Sequence, residues 1–170
     1  MKYQVSYLSP TGSCVKLVEA FENILEDVCV VDLTCDNEID GEIHLVGFEL
    51  NEINFKAIPY EIMAQLDQLE DKTILLFATC PFCADQTMKA KLERIILPFL
   101  PENCDYRGLF LCTGQASDSL LANVRALAAR RPEDEQAGKL LKSCEDSAGH
   151  PNEADIMQAC LFVTRELELE

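Results

Sequence analysis

Between Lys72 and Thr79 the chain reads KTILLFAT, five consecutive apolar residues from Ile74 to Ala78 between polar ends. A run this short cannot pack as a free-standing helix. With no polar alternation it reads as a β-strand covered on both faces, as strands of parallel sheets layered by helices are. The remainder of the sequence agrees with that constraint. Tyr3–Leu8 (YQVSYL) is a short aromatic and β-branched run broken by SPTGS, after which CVKLVEAFENIL places Val15, Val18, Phe21, Ile24 and Leu25 at helical spacing. A second apolar strand is expected over Val28–Thr34 and a third over Ile43–Phe48, with the polar connector CDNEIDGE between them. IPYEIMAQLDQL carries Ile58, Ile62, Leu66 and Leu69 on one helical face, with Pro59 where a first turn tolerates it. DQTMKAKLERIILPFL is helical until Pro98 and Pro101, and a fifth strand is expected over Tyr106–Gly114. Three helical stretches separated by Pro132 and SAGHP complete the chain. Strands alternating with helices predict an open α/β fold, a parallel sheet with helices on both faces, over one domain spanning residues 1–170.

Charge narrows the partners. Thirty acidic against fourteen basic side chains leave a net charge of -16. Nucleic acid is not expected as a partner, because binding a phosphate backbone relies on clustered Lys and Arg. The same acidity suits docking onto a basic patch of a protein. No run approaches the roughly 18 to 20 apolar residues of a membrane span, and the start MKYQVSYLSPTG lacks the apolar core of a leader, so a cytoplasmic protein without membrane contact is expected. Nine cysteines without regular spacing read as reduced thiols, most of them small core residues.

In open α/β sheets a ligand sits at the carboxyl ends of the strands, so the loops there carry the functional expectations. Ser9-Pro10-Thr11-Gly12-Ser13-Cys14 follows the first strand and offers hydroxyls, a glycine and the free amides of a helix N-terminus. Such a turn holds a phosphate without Lys or Arg, and it is equally an ordinary N-cap. The dinucleotide fingerprint and the triphosphate P-loop are both absent.

At Ser9, Thr11 and Gly12 this loop resembles the S/T-x-T-G-x-T turn of the flavodoxins, and the resemblance extends over roughly the whole chain, least clearly over 117–148. It implies a five-stranded sheet in the order 2-1-3-4-5, FMN bound non-covalently with its phosphate on Ser9 to Cys14, and electron transfer to a redox partner docking at the acidic strand-end face. The isoalloxazine ring is then expected between two further loops, with Leu50, Asn51 and Phe55 on one side and Thr79, Cys80, Pro81, Phe82 and Cys83 on the other. Phe55 and Phe82 are the rings available to stack on it, and Glu49, Glu52 and Asp85 would supply the negative charge that tunes a flavin's potential. Cys14 stands where the family has Thr, and the chain has no Trp. These departures suggest an alternative, a flavodoxin-fold accessory subunit of a redox enzyme with a degenerate flavin site.

Cys80-Pro81-Phe82-Cys83 is a Cys-x-x-Cys before a helix, where the helix dipole favours a thiolate. Two complete strand-helix-strand passages precede it, which separates it from the thioredoxin arrangement. A flavin/dithiol oxidoreductase using Cys80 and Cys83 stays open as a third reading. His44 and His150 are isolated in the sequence, and no metal site is expected.

Overall fold

The computed structural model of the chain describes residues 2–51, 58–82 and 84–169. Five strands, β1 (Tyr3–Leu8), β2 (Val28–Asp32), β3 (Ile43–Glu49), β4 (Thr73–Cys80) and β5 (Asp105–Thr113), form one sheet in the order β2-β1-β3-β4-β5. Every pairing is parallel. The expected fold class and strand order are those observed.

Six α-helices, α1 (Ser13–Glu22), α2 (Tyr60–Leu66), α3 (Gln86–Ile96), α4 (Asp118–Arg130), α5 (Glu135–Asp146) and α6 (Glu153–Glu166), cover the sheet. Side chains of a strand alternate between faces, so each strand feeds two cores. Leu45, Leu75 and Phe77 pack with Leu17, Val18 and Phe21 of α1 and with Ala159 and Val163 of α6. Val46, Phe48, Ile74, Leu76 and Ala78 pack on the other side with side chains of α2, α3, α4 and α5. Burial on both faces is what the apolar run of β4 required.

The ends of the elements differ from expectation in ways that matter. β2 stops at Asp32, where Asp32 Oδ1 accepts from the backbone and hydroxyl of Thr34 and turns the chain. The second helix occupies only Tyr60–Leu66. β3 continues one residue beyond Phe48, so that Glu49 is its last residue and pairs with Thr79. The segment 117–148 folds as the paired helices α4 and α5, which return to the strand ends where the Ser147 hydroxyl accepts from the amide of Ala116 at 3.0 Å. Leu120, Val124 and Cys144 bury this pair against the sheet.

Candidate functional site

The loop from Ser9 to Gly12 closes as a turn, with the Gly12 amide donating to the Ser9 carbonyl at 3.2 Å. Gly12 is the N-cap of α1 at φ 81°, a conformation that glycine adopts without steric cost. Open space lies around it, so its backbone angle explains the residue. A glycine N-cap provides no side chain for the amides that open α1, and no acidic residue occupies the helix's first turn. The Cys14 amide meets the Ser9 hydroxyl at 3.0 Å, but the Ser13 amide reaches Thr11 Oγ1 only at 3.4 Å, which leaves room for a stronger acceptor from elsewhere.

Glu49 supplies it. Alternation along β3 puts Leu45, Gly47 and Glu49 on the α1 side, and Glu49 ends the strand directly at the helix N-terminus with only 6% of its surface exposed. Its Oε1 accepts from the Ser9 hydroxyl, from the Ser13 amide at 2.9 Å and from the Cys14 amide at 3.4 Å. Its Oε2 accepts from the Thr11 amide at 3.0 Å, the Thr11 hydroxyl at 2.9 Å and the Asn51 side-chain amide at 3.1 Å. An ionised carboxylate offers about four lone-pair sites, and here both oxygens are crowded with donors. The helix dipole adds to the attraction for a negative group.

Three strand-end loops meet at this carboxylate. Ser13 Oγ shares a hydrogen bond with Thr11 Oγ1 at 2.8 Å and accepts from the Gln115 amide at 3.1 Å. Asn51 Oδ1 accepts from the amide of Ser117, the N-cap of α4, at 3.0 Å. Gly114 closes the far side: a Cβ there would stand 2.4 Å from Thr79 Cβ and 3.3 Å from Ser13 Cβ. Only a residue without a side chain fits at that approach.

The other expected site residues divide between this nest and the core. Pro10 is exposed at the tip of the turn. Cys14 is fully buried beneath the nest with its sulfur 4.0 Å from Thr79 Oγ1; burial, then the Glu49 charge, push its thiol pKa well up. Leu50 donates its amide to the Thr79 carbonyl at 2.8 Å while its side chain joins the core. Cys80 is the last residue of β4 and fully buried, and Pro81 beside it is buried as well. Phe82 is 6% exposed and packs in the cluster containing Cys80, Leu92 and Ala116, so its ring faces the core and not the crevice. Phe55, Glu52 and Cys83 lie outside the described residues. Asp85 is exposed and caps α3 by accepting from the Met88 amide at 2.8 Å.

Burial also pushes up the thiol of Cys112, with smaller contributions from Asp155 and Cys80. Thiolates, not thiols, attack and coordinate; Cys14 and Cys112 are therefore packed as neutral groups. Among the described residues, no three His, Cys, Asp or Glu side chains converge as a metal site would require. No helix among them is long and apolar enough to cross a membrane.

An open sheet in this order, with a hydroxyl-and-amide turn after its first strand, defines a flavodoxin-type protein. Residues 4–164 match the flavodoxin domain, and the chain belongs to that family. It is 26% identical over 165 residues to the flavodoxin-like domain-containing protein BilS of Clostridioides difficile (strain CD3), covering 95% of this chain and 94% of the relative. A BilS of Clostridium symbiosum (strain WAL-14163) is also 26% identical, over 92% of this chain and 90% of its own length. The crystal structure of oxidised flavodoxin 2 from Bacillus cereus superposes with a TM-score of 0.52 at 14% identity, covering 97% of this chain and 99% of that one.

Flavodoxins typically bind FMN, and the nest tests whether a flavin phosphate fits here. The donors suited to phosphate oxygens are already engaged by Glu49. Two like unit charges about 4 Å apart near a protein surface repel by roughly 4 kcal/mol, and phosphate brings up to two. Among the described residues, no Lys or Arg is a partner of the nest to offset that repulsion. With Glu49 seated, the residues present do not fit a phosphate.

Proposed function

We propose that this chain is a flavodoxin-fold partner subunit of a redox enzyme, acting by docking and not by carrying FMN through its phosphate. The Glu49 carboxylate in the first strand-end loop is the observation that carries this reading. The docking face is the strand-end rim, where exposed Asp85, Asp118 and Glu153 lie at the starts of α3, α4 and α6. Their charge, within a chain of net charge -16, favours a basic surface on the partner and speeds encounter with it. Among the described residues, the bonds that Glu49, Asn51 and Ser13 make between loops restrain this rim. A rigid face loses little freedom on association.

A second reading keeps the chain as an FMN electron carrier. It is favoured by the convergence of the Ser9, Thr11, Ser13 and Cys14 donors on one point at the strand ends, the arrangement that a phosphate needs. One titration separates the two. Purified protein mixed with FMN should leave flavin fluorescence unquenched and elute colourless; uptake of FMN in preference to riboflavin would establish the carrier reading instead.

A further inference from the structure

We propose that Glu49 is a built-in substitute for bound phosphate: the turn after β1 remains a competent anion nest, and the chain's own carboxylate closes it to phosphate. This rests on the partner-subunit reading and deepens it, by naming the side chain that sets what the loop accepts. The argument is geometric. Within the turn the Ser9 hydroxyl takes the Cys14 amide at 3.0 Å, but with glycine at the N-cap the Thr11 and Ser13 amides and the Ser9 and Thr11 hydroxyls all turn to Glu49, so the helix start caps itself only in part. They are the donor set of an anion site, and the acceptor they meet comes from a strand 36 residues away in sequence. Among the described residues, Asn51 is the donor to this carboxylate that lies outside the turn.

The carboxylate also links the nest to the helical pair beyond β5. Asn51 holds Glu49 with its amide nitrogen and the Ser117 amide with its oxygen. Ser13 holds the Gln115 amide. An anion that replaced Glu49 would meet the same turn donors but leave Asn51 Nδ2 to find another acceptor. The start of α4 therefore senses which group fills the nest.

The test uses the full chain and inorganic phosphate. Wild-type protein and the variants Glu49→Ser and Glu49→Gln are melted across a phosphate series against chloride of matched ionic strength, and phosphate binding is measured by calorimetry. Glu49→Ser should gain phosphate-dependent thermal stabilisation and bind at least tenfold tighter than wild type. Glu49→Gln, whose amide adds a donor and fills the space, should gain much less. If Glu49→Ser folds only in phosphate, its phosphate-dependent refolding supports the proposal as well. Phosphate binding by Glu49→Ser no tighter than by wild type would overturn it, as would equal, tight binding by all three. A riboflavin control separates this inference from the reading beneath it. Wild type that takes up riboflavin and FMN equally would end the flavin-free reading yet leave Glu49 as the group excluding phosphate.

Discussion

The ring of Phe77 lies across Gly47 in the neighbouring strand, so close that a Cβ at position 47 would stand 2.1 Å from Cε2 and Cζ. Phe77 in turn meets Phe21 edge-on, with ring centroids 5.1 Å apart and planes at 86°. Gly47→Ala has no room unless the ring leaves this position. Overpacking of this kind costs about 1–3 kcal/mol, and urea melts should show a lower midpoint with the slope unchanged. Phe77→Leu added to Gly47→Ala should recover part of the loss, and additive losses in the double variant would contradict the pairing.

Glu49→Gln should destabilise the fold by about 1–3 kcal/mol, the cost of leaving buried donors facing a group that cannot accept from all of them. Glu49→Ala opens the same defect to water and should cost a similar amount. Chemical denaturation measures both, and a change within error would mean that the carboxylate is not seated.

Asn51→Ala should loosen the start of α4 specifically. The Ser117 amide loses its acceptor, whereas the Leu120 amide keeps the Ser117 hydroxyl at 3.2 Å. Hydrogen exchange resolved by residue should show faster exchange at Ser117 with Leu120 unchanged. Equal acceleration at both would point to general fraying of the helix.

His44 is buried in β3, its Nε2–H donating to the Gly41 carbonyl at 3.2 Å. Burial lowers its pKa below the ordinary value of 6.5, more than the Gly41 bond raises it. The fold thus prefers the neutral ring, while the unfolded chain takes up a proton as pH falls through 6.5. Stability from this residue is complete above that pH and is lost below it, until the native pKa is reached, by at most about 1.4 kcal/mol per pH unit. Denaturation curves between pH 5 and 7.5 should show this slope, and His44→Leu should flatten it. A variant with an undiminished slope would assign the effect elsewhere.

Alkylation with iodoacetamide at neutral pH should modify exposed Cys35 first and leave Cys14, Cys80 and Cys112 intact in the native protein. Peptide mass spectrometry after a short pulse reads this directly. Labelling of Cys80 at the rate of Cys35 would support the dithiol reading.

The sheet was legible because Ile74–Ala78 is apolar at every position, and only a strand covered on both faces needs that. The nest was half legible. Its hydroxyls and glycine stand together in the sequence, but the acceptor they bind lies on another strand. Ending β3 at Phe48 placed Glu49 in a loop beside a flavin; one more residue of strand puts it on the α1 face. The same alternation settles Phe82: Ile74, Leu76, Ala78, Cys80 and Phe82 all join one core. Strand parity carried one residue past Phe48 and four past Ala78 would have found both. The link from Asn51 to Ser117 joins residues 66 apart and has no local signal.

A dissolved ligand leaves its site when its concentration falls, and a protein that depends on it weakens accordingly. Glu49 is tethered beside its donors by the backbone of β3, at an effective concentration that no dilution or dialysis lowers. The turn from Ser9 to Cys14 therefore has its acceptor whatever the supply of flavin, from the moment the chain folds.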